Sequence, residues 1–315
     1  MVKPAAEDSE AEVVAVAARD GERARRFAAK HRISAAYGSY AELLADPGID
    51  AVYIAVPNGL HGRWTKAALE AGKHVLCEKP FTANAEEAAS VAEAARRSDR
   101  VVMEAFHYRY HALTTRMLEI LNSGELGDIT TMEAWLCFPV VQANDIRWDF
   151  HLAGGALMDA GCYTVHLLRT LAGSEPKVSS ATAKTRRAGV DRLLTAELAF
   201  PGGCTGLITA SLLSRRVLGA GVRVGGTRGT MRVLNPIAPQ LGHRLVVRAD
   251  TRRAVEYVPR KPSTYASQLR AFTGAILRGE PVLTGPQDAV ANMAVIDACY
   301  AASGLPRREP SPSEI

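Results

Sequence analysis

Apolar residues fall in short continuous runs over the first hundred positions, separated by longer stretches of mixed polarity. The runs 13–17, 51–56, 74–77 and 101–103 have the pattern of strands buried on both faces. Between them, 21–31, 40–45, 59–71 and 84–97 are predicted helices, with small or apolar residues spaced among charged ones. Asp46-Pro47-Gly48 reads as a turn and Gly72 as a helix stop. Strands alternating with helices predict a parallel sheet covered on both faces.

The rhythm changes near residue 125. Segments 130–138, 178–186, 193–200, 205–212, 222–225, 231–234, 245–248 and 255–258 read as strands. Pro201-Gly202-Gly203 turns the chain between two of them. Helices are predicted at 113–122, 155–171, 265–277 and 288–302. The expectation is a two-domain α/β protein, with residues 1–108 parallel and residues 109–315 built on an antiparallel sheet. The C-terminal helix is a candidate to pack back on the first domain. The tail from Pro306, with three prolines, reads as loose.

A parallel sheet that binds dinucleotides normally opens with a strand and a G-x-G-x-x-G turn. No such pattern occurs in this sequence. Gly225-Gly226-Thr227-Arg228-Gly229 is the nearest imitation, and it reads as a turn between strands of the second domain. The residues ahead of the first strand read instead as the tail of a helix. The expectation drawn from this is that the working protein carries roughly 15–25 further residues, enough for a strand and a turn. A start at Met1 itself would predict weak cofactor binding.

Composition narrows the partners. The chain has 315 residues, 47% of them hydrophobic and 23% charged, the balance of a globular protein. No run approaches the roughly 18 apolar residues of a membrane span. Glu7, Asp8, Glu10 and Glu12 near the start argue against a secretory signal. Five scattered cysteines without a C-x-x-C suit a reducing cytoplasm. The net charge of +5 suggests anionic ligands. Its arginines fall in separated pairs (Arg25-Arg26, Arg96-Arg97, Arg186-Arg187, Arg215-Arg216, Arg252-Arg253), which excludes a nucleic-acid stripe and favours a phosphate-bearing small molecule.

Four places carry candidate chemistry. Lys79, in Glu78-Lys79-Pro80, follows directly on the strand at 74–77, and the carboxyl ends of parallel strands are where such sheets bind ligands. Its ammonium could hold a substrate oxygen; the plain alternative is a lysine paired with Glu78. On a helix opening near Gly154-Gly155, Asp159, Tyr163 and His166 share one face, the wall of a site or else polar groups satisfied in a domain seam. Arg19 and Asp20 end the first strand. An arginine there takes the 2′-phosphate of NADP and an acid the 2′-hydroxyl of NAD, so NADP is expected, with NAD the alternative. Pro57, Asn58 and His61 close the second strand, where Asn58 is either a helix N-cap or, with His61, part of a cofactor edge.

Glu104, Arg109, Arg147 and Trp148 are further candidates for lining a cleft. His107 and His111 have no accompanying carboxylate pattern, so no metal is expected. A nucleophile-elbow G-x-S-x-G is absent, so no hydrolase is expected.

Ala18-Arg19-Asp20, Pro57-Asn58-Gly59-Leu60-His61, Glu78-Lys79-Pro80, Glu104-Ala105-Phe106 and Asp159-Ala160-Gly161-Cys162-Tyr163 together resemble the glucose–fructose oxidoreductase, inositol dehydrogenase and MocA (Gfo/Idh/MocA) family. Tyrosine rather than histidine in the last motif is most similar to its dihydrodiol and xylose dehydrogenase branch. The resemblance implies a Rossmann-type domain, here lacking its first strand, and a C-terminal α/β domain whose large, mostly antiparallel open sheet often forms a homo-oligomer. It implies hydride transfer between a nicotinamide and a carbinol carbon of a sugar or dihydrodiol. In that scheme Lys79 orients the substrate oxygen and lowers the tyrosine pKa, Tyr163 takes the proton, and Asp159 positions the substrate. Glu78, with Lys79, belongs to the cofactor side. The rival expectations are a non-catalytic, ligand-binding relative and a lyase using the same fold.

Overall fold

A computed structural model describes residues 1–213, 219–250 and 252–312. Arg215 and Arg216 lie outside the described residues.

The first domain opens with a short helix, α1 (Val2–Ala6), as the sequence suggested. Strand β1 (Ala15–Ala17) pairs in parallel with β2 (Ala35–Tyr37). Between them runs α2 (Gly21–His31), capped by Asp20, whose carboxylate accepts from the N–H groups of Glu22 and Arg23. Helix α3 (Tyr40–Ala45) leads to β3 (Ala51–Ile54). Next come α4 (His61–Glu70), β4 (His74–Cys77), α5 (Ala85–Ser98) and β5 (Val102–Glu104). Strands β3, β4 and β5 form a second parallel sheet.

The expected parallel sheet is thus two sheets, of two and three strands. Burial separates them as well: β4 and β5 are almost wholly buried, whereas β1 and β2 are half-buried throughout. β2 escaped the sequence reading because Ala35-Ala36-Tyr37 is short and has no β-branched residue. We expect amides of β1 and β2 to exchange with solvent faster than those of β4, because fewer apolar contacts resist local opening. Hydrogen exchange read by mass spectrometry checks this; equal protection would contradict it.

Helix α6 (Ala112–Asn122) leads into the second domain. Its strands are β6 (Ile129–Cys137), β7 (Lys177–Arg187), β8 (Val190–Ala199), β9 (Thr205–Ser211), β10 (Gly219–Gly226), β11 (Gly229–Leu234), β12 (Arg244–Ala249) and β13 (Arg252–Glu256). They form one sheet in the order β13-β12-β11-β10-β6-β9-β8-β7. Only the β6–β9 pair is parallel; the rest run antiparallel. Helix α7 (Cys162–Ala172) packs on β6 and β9.

Two C-terminal helices return to the first domain. α8 (Thr264–Arg278) packs on the 3-10 turn His107–Tyr110, and α9 (Pro286–Ala302) packs along α5. Asp297 of α9 accepts the Ala85 N–H, 2.9 Å away, at the start of α5.

Over its described residues, 306–312, the tail is tied down rather than loose. Arg308 is fully buried, donating to Asp191 Oδ1 at 2.9 Å and to the carbonyl oxygens of Gly154 and Pro306. Its guanidinium also lies against the rings of Tyr300 and Phe150. Asn84 of the first domain donates to the Arg308 carbonyl at 2.8 Å. The Ser311 N–H donates to Gly59 O at 2.8 Å, and its hydroxyl donates to His151 O. Prolines suggested disorder, but one arginine with a buried carboxylate partner outweighs them. Gly155 sits where this strap closes: with φ of +135°, any Cβ there would collide with Asp191 and Arg308.

Candidate active site

The strap and the returning helices hold the carboxyl edge of β3–β5 against a turn of the second domain. Between them lies a cleft of about 200 Å³. Val56, Asn58, His61, Glu78 and Lys79 line it from the first domain, and Ile146, Arg147, Leu152 and Asp159 from the second.

Lys79 follows β4 directly, and its peptide bond to Pro80 is cis. Its ammonium donates across the domain seam to Asp159 Oδ1 and to the Asp159 carbonyl, each at 3.1 Å. Glu78 is not the ammonium's hydrogen-bond partner; its carboxylate accepts the Tyr53 hydroxyl and the Lys79 backbone N–H. Arg147 Nε donates to the other oxygen of Asp159 at 2.7 Å, and its Nη1 donates to Asp145 at 3.1 Å. Burial works against the charge on Lys79, yet Asp159 and other nearby groups raise its pKa above the ordinary lysine value. Burial likewise opposes ionisation of Asp159, and Lys79 and Arg147 pull its pKa below the ordinary carboxylate value. Both stay charged. Two cations and two carboxylates balance here, so the cleft is polar but close to neutral.

Asp159 lies in a π-helical turn, Leu157–Gly161, that runs straight into α7 and carries Tyr163 one turn later. Such turns widen a helix and re-aim its side chains. The Lys79 ammonium stands 5.3 Å from the centre of the Tyr163 ring. Tyr163 Oη lies 3.2 Å from His107 Nε2. Burial here outweighs the lowering expected from Lys79. The Tyr163 pKa is raised well above that of a free tyrosine, by burial first and then by Glu78, Cys162, Tyr265 and Asp159. In the protein by itself Tyr163 is a neutral acid.

Several predicted residues serve other purposes. His166 is buried behind the site: its Nε2 donates to Asp288 at 2.9 Å, its Nδ1 faces the Tyr108 hydroxyl at 2.6 Å, and its ring stacks on Phe106. It braces α7 and is not among the residues that line this cleft. Trp148 is wholly buried in a small apolar cluster, with Arg186 over its ring. Asp20 is spent on capping α2. Asn58 makes no side-chain cap and instead donates to Ala153 O of the other domain at 3.2 Å. His61 spans the carbonyls of Pro80 and Val56, fixing the strand ends from within the cleft wall.

Arg109 is half-buried on the 3-10 turn, near Tyr108 and His166. Glu104 is fully buried at the end of β5, where burial, then Asp288, raises its pKa well above the usual carboxylate range. Arg19 stands exposed after β1. Among the described residues no cluster could hold a metal ion, and all five cysteines are free and buried.

Sequence reading weighed His107 only as a metal ligand and missed Tyr265. Tyr265, near the start of α8, stacks on the His107 ring at 4.2 Å between centroids. A signal existed for His107, which follows Glu104-Ala105-Phe106 at the carboxyl end of a parallel strand; none existed for Tyr265, which arrives from far along the chain.

A parallel sheet with a lysine at its carboxyl edge, met by a tyrosine and an aspartate of a second, open-sheet domain, defines a two-domain oxidoreductase. Residues 2–106 match the oxidoreductase family with an NAD-binding Rossmann fold, and residues 114–232 match the GFO/IDH/MocA C-terminal domain. The chain belongs to the Gfo/Idh/MocA oxidoreductase family. It is 39% identical over 303 residues to D-xylose 1-dehydrogenase (NADP(+)) 2 of Haloferax volcanii, covering 95% of this chain and 92% of that relative. It is 37% identical to trans-1,2-dihydrobenzene-1,2-diol dehydrogenase of Bos taurus, over 72% of this chain and 68% of the relative. The crystal structure of aldose-aldose oxidoreductase from Caulobacter crescentus, complexed with glycerol, superposes with a TM-score of 0.89 at 25% identity, covering 96% and 92% of the two chains. Among the described residues no helix is long and apolar enough to cross a membrane.

Proposed function

We propose that this chain transfers hydride between a nicotinamide cofactor, NADP in preference to NAD, and a carbinol carbon of a sugar or a trans-dihydrodiol. The observation that carries the reading is the Lys79–Asp159 bond across the domain seam, with Tyr163 beside it. It supports a reading in which a fixed cation lining the cleft acts together with the neutral tyrosine beside it.

The residues fit the two ends of a dinucleotide. Exposed Arg19 suits the 2′-phosphate, while Asn58, His61 and Glu78, with Pro57 next to Asn58 in the chain, line the edge that would flank the nicotinamide. The sequence holds no G-x-G-x-x-G turn for the pyrophosphate. When bound, the cofactor supplies or accepts the hydride. Lys79 holds the substrate oxygen and stabilises negative charge developing on it. Tyr163 delivers a proton to that oxygen in carbonyl reduction and recovers it in alcohol oxidation. Asp159 fixes the lysine, and with Arg147 it offers paired donors and acceptors to neighbouring hydroxyls. A near-neutral cleft suits an uncharged polyol. The protein is further proposed to be cytoplasmic and to associate through the open sheet as a dimer or tetramer.

The test is a screen of NADP and NAD against aldoses and trans-dihydrodiols, followed by absorbance of the reduced nicotinamide. Turnover with NADP and at least one of these alcohols is expected. Sugar binding by calorimetry without turnover would instead favour the non-catalytic reading. Arg19→Ala is expected to weaken NADPH by roughly tenfold and leave NADH little changed, as loss of one charge-assisted phosphate contact should. Equal weakening of both would remove Arg19 from the phosphate site.

A further inference from the structure

His107 Nδ1 is buried and has no hydrogen-bond partner, on a side chain only 4% exposed. Its other nitrogen, Nε2, lies 3.2 Å from Tyr163 Oη. Burial, then the charge on Lys79, pushes the His107 pKa down to about 3, so the ring is neutral and carries one proton. Were that proton on Nδ1, a buried N–H would be stranded without an acceptor, the rarer and costlier defect. On Nε2 it has an acceptor at hand.

We propose that His107 is a positioning residue, held as the Nε2–H tautomer, which donates to Tyr163 Oη and thereby turns the tyrosine's own O–H toward the substrate oxygen. The inference rests on the role given to Tyr163 above. When Tyr163 gives its proton to a carbonyl oxygen, the tyrosinate left behind keeps the His107 hydrogen bond. In the reverse direction the same bond favours the tyrosinate that takes up the alcohol proton.

The surroundings make this bond matter. Glu78 at the end of β4, Asp159 and Cys162 on the helix of Tyr163 itself, and Tyr265 of α8 all oppose ionisation of Tyr163. Tyr108 lies alongside, 6.2 Å between ring centres. Against them stand the Lys79 charge, 5.3 Å from the ring, and the His107 N–H. Tyr265 lies against the His107 ring, 4.2 Å between ring centres.

The cofactor-free protein, labelled with ¹⁵N-histidine, gives a direct test by NMR near pH 7, with His107 assigned from the His107→Leu spectrum. Ring nitrogen shifts are expected to show a protonated Nε2 and a bare Nδ1; a protonated Nδ1 overturns the proposal whether or not any substrate is ever found. The second arm is the pH profile of alcohol oxidation. His107→Leu is expected to move its rising limb upward by about one unit, roughly a tenfold loss of kcat at a fixed pH below the limb. KM should hold, and His107→Gln, which keeps a donor, should restore most of the rate. A limb unmoved in His107→Leu overturns the proposal. So does a Gln variant as slow as the Leu variant.

Discussion

Lys79→Ala is expected to lower turnover by about 10²–10³-fold while the Kd for NADPH changes little, the loss typical of removing one preorganised donor to a developing oxyanion. Three features argue for so large an effect. The ammonium stays charged because Asp159 more than offsets the burial that opposes it. It is fixed by two bonds from the other domain. It also stands beside the tyrosine that would move the proton. Single-turnover kinetics with bound cofactor measure the chemical step directly. A variant that lost cofactor affinity but kept its rate per bound cofactor would overturn the assignment.

The same substitution has a pH consequence. Asp159 has a folded pKa below its unfolded one, so its stabilising contribution is present above the ordinary carboxylate pKa and disappears as pH falls through the depressed value. Without Lys79 only Arg147 sustains that depression, so less stability remains to lose. The melting temperature of Lys79→Ala is therefore expected to fall less steeply on acidification below the ordinary carboxylate range than that of the parent protein.

Arg308→Met is expected to destabilise the fold by about 3–5 kcal/mol, the cost of stranding a buried charge. Asp191 would keep its bonds from Tyr300 Oη and the Leu157 N–H but lose the cation paired with it. That is a large share of a typical stability of about 5–15 kcal/mol. Adding Asp191→Asn, which removes the stranded charge but keeps an acceptor for the Tyr300 hydroxyl or the Leu157 N–H, should recover much of the loss. Urea titration reads both variants; a cost below about 1 kcal/mol for the single change would show that the strap is peripheral.

The strands and helices were legible in the sequence because periodicity is local. The predicted helices 59–71 and 155–171 beside the cleft, and all eight predicted strands of the open sheet, lie within three residues of their observed places. The site was half legible. Glu78-Lys79-Pro80 and Asp159 with Tyr163 carry their chemistry in their neighbours, and the structure brings Lys79 and Asp159 into contact. Helical spacing put His166 on the face of Asp159 and Tyr163 but left open whether it walls a site or is satisfied by its neighbours, and nothing in the sequence showed that Trp148, a cleft candidate, is wholly buried. Tyr163 was expected to be acidified by Lys79, whereas burial dominates, and burial is a property of the packed molecule. The tail was misread because composition cannot reveal that Arg308 has a partner at Asp191, 117 residues earlier.

That long reach has a consequence in time. Asn84 meets the Arg308 carbonyl across 224 residues. At a synthesis rate of about 5–20 residues per second, roughly 10–45 s pass before a nascent Asn84 can find that partner. Through the same interval the face of α5 that α9 later covers stays open. The first half of the molecule must therefore persist on the ribosome without its clasp, so the yield of folded protein should depend on chaperones that shelter α5 until the last helix is made.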